Sequence, residues 1–91
     1  MTAARVRYAC DVTLLPTVEA TLAAHGFTIA APMAHSADGN TCLVMACGAA
    51  TVLLLQTPGQ DTGEIEAWGD ARARVAQLLE TMPIDVQRLA S

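Results

Sequence analysis

Between Thr41 and Thr57 the chain reads TCLVMACGAATVLLLQT, a run without a charge that stops at Pro58-Gly59. It falls just short of the ~20 residues a membrane helix needs. Gly48, the β-branched content and the Pro-Gly stop predict a hairpin instead: strands Thr41–Cys47 and Thr51–Thr57, folded back at Gly48-Ala49-Ala50. Alternate side chains of a strand point to opposite faces. Leu43, Met45 and Cys47 then oppose Cys42, Val44 and Ala46, and Leu53 and Leu55 oppose Val52 and Leu54. Both faces are apolar, the pattern of a strand covered on two sides.

Composition sharpens that constraint. The 91 residues make one domain, 1–91, in which 53% are hydrophobic, 15% charged and only three aromatic. A chain this short buries about 60–65% of its unfolded surface, so its stability is thin. Ala, Val, Leu and Met must fill the core, and the apolar surplus predicts association with another subunit. The net charge of −4, with five Arg and no Lys, offers no basic cluster to displace counterions from nucleic acid. Neither nucleic acid nor a membrane is an expected partner. Met1–Asp11 has two arginines but no apolar segment behind them, so no signal peptide is read there. Three cysteines, Cys10, Cys42 and Cys47, all in apolar context, suit buried thiols in a reducing cytoplasm.

Arg5–Cys10 alternates as a half-buried strand with Val6, Tyr8 and Cys10 on one side. After Asp11 a helix runs to about His25, its stripe drawn from Leu14, Leu15, Val18 and Leu22, with Pro16 in the first turn and Gly26 ending it in a left-handed conformation. Phe27–Met33 is the next strand, and Pro32 marks an edge or an end. The stretch from His35 through Asp38-Gly39-Asn40 reads as a turn. Beyond the central hairpin, Thr62–Trp68 turns Ile65 and Ala67 inward and Glu64 and Glu66 outward, an edge strand whose charges face Arg5 and Arg7 across the sheet. Asp70 caps a second helix, Ala71–Met82, with a stripe of Ala71, Val75, Leu78, Leu79 and Met82, stopped by Pro83. Ile84–Leu89 fits a closing edge strand slightly better than a helical turn. The order β-α-β-β-β-β-α-(β) predicts an α+β fold, an antiparallel-rich sheet with two helices on one face, with a right-handed first crossover.

The strand Val6–Cys10, then Asp11 and the amphipathic helix, then His25-Gly26-Phe27-Thr28-Ile29, resemble the first half of an ACT-type regulatory domain. Met82-Pro83-Ile84-Asp85-Val86 is similar to that family's exit from its second helix. The resemblance implies a ferredoxin-like fold and a small-molecule ligand near Asp11, Thr13 and Pro16, at the sheet interface. The βαβββ order is also shared by one half of the vicinal-oxygen-chelate enzymes, which pair two halves around a metal.

Chemistry elsewhere reads as structural. Cys42 and Cys47 lie on opposite faces of one strand and cannot share a metal. His25 precedes Gly26 at a helix C-terminus, where an imidazolium complements the dipole. Glu64 and Glu66 share a face about 7 Å apart, too far to share a proton. No Ser-His-Asp order, P-loop or Gly-x-Gly-x-x-Gly is present, so an enzyme is disfavoured and no cofactor or metal is expected. Trp68 reads equally as a core cover and as a contact anchor. Three functions remain. One is a non-enzymatic binding or regulatory module, a homodimer through the apolar sheet face bearing Val44 and Leu54. Another is an acidic protein that inhibits a macromolecular partner through Glu64, Glu66, Trp68 and Asp70. The third is a metal-dependent enzyme of paired halves.

Overall fold

The computed structural model describes residues 5–35, 41–57 and 59–89, with the backbone alone for 31–35. Six strands and two helices follow in the expected order: β1 (Arg5–Asp11), α1 (Leu15–Ala24), β2 (Thr28–His35), β3 (Thr41–Cys47), β4 (Ala50–Gln56), β5 (Thr62–Trp68), α2 (Ala71–Thr81) and β6 (Val86–Leu89). A single 3₁₀ turn, Val12–Leu14, leads into α1. The turn expected over 36–40 lies outside the described residues. Among the described residues, no helix is long and apolar enough to cross a membrane.

All strands join one antiparallel sheet in the order β2-β3-β4-β5-β1-β6. The α+β class stands, but the ferredoxin-like arrangement does not. A split βαβ unit of that kind separates its parallel strands by one neighbour. Here β1 and β2, joined through α1, run parallel with three strands between them. Only β5-α2-β6, with β1 between its strands, keeps the narrower split.

β5 is not an edge. It lies between β4 and β1, and the charges read as an edge signal are neutralised from β1: Arg5 reaches Glu66 at 2.7 Å and Arg7 reaches Glu64 at 2.9 Å. The edges are β2, where register shifts flank Ala31 and the second spans Pro32, and the short β6. His35, expected in a turn, ends β2 opposite Thr41.

Both helices cover the same face. Leu15, Val18 and Leu22 of α1 and Ala71, Val75 and Leu79 of α2 share one buried cluster with Tyr8, Leu43, Met45, Val52, Leu54 and Ile65. Leu78 and Met82, expected within the stripe of α2, are only partly buried at its margin. Helix α1 ends as its sequence requires. Gly26 takes φ +93°, Phe27 N–H donates to the Leu22 carbonyl and Gly26 N–H to that of Ala23, so Phe27 enters the core as the chain turns into β2. His25 completes this end, its Nδ1–H donating to the Thr21 carbonyl at 2.9 Å. At the start of α2, Asp70 makes no capping hydrogen bond; it is already helical in φ and ψ. The first turn is held instead by the Gly69 carbonyl, which accepts from Arg72 N–H and Nε.

The β3–β4 turn is one residue shorter than expected. Cys47 pairs with Ala50 across Gly48-Ala49, and Gly48 alone has positive φ, +61°, as a two-residue type II′ turn requires. Losing one residue from the turn moves every β4 side chain to the other face relative to β3. Val44 therefore stands opposite Leu53, not Leu54.

Candidate functional site

Two features of this architecture offer themselves for binding: the sheet face that neither α1 nor α2 covers, and a cavity under the start of α1.

The uncovered face follows from the register. Rows of paired residues run across it: Val44, Leu53, Glu66 and Arg7; Cys42, Leu55, Glu64 and Ala9; Ala46, Thr51, Trp68 and Arg5. Its β3–β4 half is apolar. Its β5–β1 half is an ion-pair ladder in which Glu66 accepts from Arg5 Nη1 at 2.7 Å and lies 3.9 Å from Arg7 Nε, while Glu64 takes both of its oxygens to Arg7 Nη2 at 2.9 and 3.1 Å. Glu66 is only 7% exposed although neither α1 nor α2 lies over it. The Arg5 guanidinium also lies 5.5 Å from the centre of the Trp68 ring. Trp68 thus belongs to this face and not to the core cluster. Burial pushes the Cys42 thiol above its ordinary value, and the neighbouring Glu66 carboxylate adds to the rise.

Of the residues expected to meet a partner, Val44, Glu64, Glu66 and Trp68 share this face. Leu54 does not: it is buried beneath the helices opposite Leu43, and its place is taken by Leu53 and Leu55. Asp70 is away from the face too, in the turn before α2, lining a groove with Val6, Tyr8 and Arg88. Cys42 on the open face and Cys47 on the helix side are separated as the alternation requires. Among the described residues, no three His, Cys, Asp or Glu side chains come together as a metal site would need.

The cavity is local in origin. Asp11 Oδ1 accepts from the Thr13 N–H at 2.9 Å and from its hydroxyl at 2.7 Å, which fixes the 3₁₀ turn and holds the Asp11 carboxyl below its ordinary range. Val12 N–H donates to the Asp61 carbonyl at 2.7 Å. Leu15 then seats on Gly63 of β5, so closely that a Cβ at Gly63 would lie 2.6 Å from its Cδ1. With the helix start fixed against β5, a space of about 410 Å³ opens beside it over the ends of β3 and β4. Leu43 and Leu54 form its floor, and Val12, Leu15 and Pro16 its wall. Thr13, Glu19, Thr41 and Gln56 supply its polar groups. Thr13 and Pro16, expected at a ligand, line this space; Asp11 does not, and shapes it through the turn.

Sequence reasoning missed Glu19 and Gln56. Glu19 follows Leu15 by one helical turn, a spacing that puts the two on one side of α1, but nothing local shows that the sheet stops short beneath it. No family model, curated protein or solved structure matches this chain.

Proposed function

We propose that this chain is a non-enzymatic binding module that works as a twofold dimer, two copies meeting across their uncovered sheet faces. The observation that carries this is the half-apolar face of β3 and β4, with Val44, Leu53 and Leu55 side by side and both helices on the other side of the sheet. Fully burying a Leu or Val side chain is worth roughly 1.5–3 kcal/mol, a large share of the stability of a small domain.

Charge favours a copy over a different partner. Beside the apolar rows stand two arginines and two glutamates already paired with each other, so a second copy meets no like-charged surface. The same pairing weakens the reading as an acidic inhibitor, because the carboxylates such a surface would present are held by arginine. It gives no support to a metal site there either. Size agrees: strands of four to eight residues in a six-stranded sheet offer about 600 Å² of projected area, the same order as the roughly 800 Å² each partner buries in a standard interface. A twofold contact of this kind is self-complementary by construction.

Sedimentation velocity of the wild type and of Leu53→Glu tests the reading. The wild type sediments as a dimer at micromolar concentration and the variant as a folded monomer. A wild-type monomer, or a variant that stays dimeric, overturns it.

A further inference from the structure

We infer that the cavity between the start of α1 and the β3–β4 ends is a binding site for a small hydrophobic amine. Its class follows from what lines it. The floor and wall are hydrocarbon from Leu43, Leu54, Leu15 and Pro16, which selects an apolar body. The lining's one ionisable side chain, among the described residues, is Glu19, and neither a hydrogen bond nor an ion pair engages its carboxylate. A half-buried carboxylate beside an apolar space is completed by a cation that brings its own donors.

The surroundings point the same way. Asp11 and Asp61 flank the turn that forms the wall. Of the five arginines, Arg5 and Arg7 are spent on Glu66 and Glu64 on the opposite face, and Arg72, Arg74 and Arg88 lie on α2 and β6. A carboxylate ligand would meet only like charge here.

Volume sets the size. A dry cavity of about 150 Å³ holds benzene, so about 410 Å³ suits a body of roughly twelve to eighteen non-hydrogen atoms. The inference does not rest on dimerisation, since the cavity lies on the helix side of the sheet.

Titration of the intact chain with 2-naphthylmethylamine, 2-naphthalenemethanol and 2-naphthoate, followed by amide chemical shifts, tests it. The amine perturbs Leu43, Leu54 and Thr13 and binds about tenfold more tightly than the alcohol, which brings no charge to the carboxylate; the acid binds least. Glu19→Gln removes the preference for the amine over the alcohol. Equal binding of all three, an unchanged preference in Glu19→Gln, or shifts confined to the open face around Leu53 would each overturn it. A wild-type monomer that still selects the amine contradicts the dimer and supports this site.

Discussion

Leu15 Cδ1 occupies the space a side chain at Gly63 would need, 2.6 Å from where a Cβ would stand. One missing methyl on β5 thus sets how closely α1 approaches the sheet, and where the cavity beside it ends. The contact involves Leu15 Cγ and both δ carbons, within 2.6–3.2 Å, and Leu15 is 8% exposed, so it cannot simply swing aside.

Gly63→Ala should therefore destabilise the fold by about 1–3 kcal/mol, the usual cost of overpacking. Gly63 does not have positive φ, so alanine is not penalised by the backbone there. Urea denaturation measures the loss. Adding Leu15→Ala to Gly63→Ala should cost less than the two single losses added, since each change relieves the other's clash or void.

The ion-pair ladder gives a second contrast. Glu66 has a side chain 9% exposed and two arginines near it, whereas the side chain of Glu64 is 36% exposed and meets Arg7 alone. Glu66→Ala should cost about 1–3 kcal/mol, a void and two arginines without their buried partner. Glu64→Ala should cost less than about 1 kcal/mol, as exposed pairs do. Equal effects by thermal or urea unfolding would show that the burial of Glu66 carries no energy.

These pairs show what the sequence could and could not disclose. Alternation separated Leu43 and Met45 from Cys42 and Val44 along Thr41–Cys47 and turned Ile65 and Ala67 inward along Thr62–Trp68, as the structure has them, because a period of two is a local property. The same local reading took Glu64 and Glu66 for an edge. Their facing Arg5 and Arg7 across the sheet, 61 and 57 positions earlier, was read correctly; what failed was the edge, because β4 pairs on the other side of β5 and strand order is not a local property. Leu54 was assigned to the wrong face through one residue of turn length at Gly48-Ala49. Gly26 announced its helix end because only a left-handed residue completes that cap, while Asp70 gave a capping signal that the Gly69 carbonyl made unnecessary. The cavity was half legible: Thr13 and Pro16 could be placed near a helix start, but Glu19 and Gln56 meet only through long-range packing.

Stability should fall on both sides of neutrality for identifiable reasons. Burial raises the Cys10 thiol above its ordinary value of 9.0, and Asp11 beside it adds to the rise. Its contribution is whole below pH 9.0 and is lost as pH climbs through the raised folded value. Asp11 behaves oppositely: Thr13 lowers its carboxyl from 3.8, so that contribution is present above pH 3.8 and is lost as pH falls through the lowered value. Urea midpoints against pH should show a flatter alkaline limb in Cys10→Ala and a flatter acid limb in Asp11→Ala.

The claim that a second copy covers the open face is tested most directly by intermolecular NOEs in a dimer assembled from differently labelled chains. The account predicts NOEs between copies among the methyl groups of Val44, Leu53 and Leu55, with none from Val18 or Val75. A dimer whose intermolecular NOEs arise from the helices, or from Ile29 at the β2 edge, a residue 58% exposed, would contradict it, as would a chain that shows no such contacts at millimolar concentration.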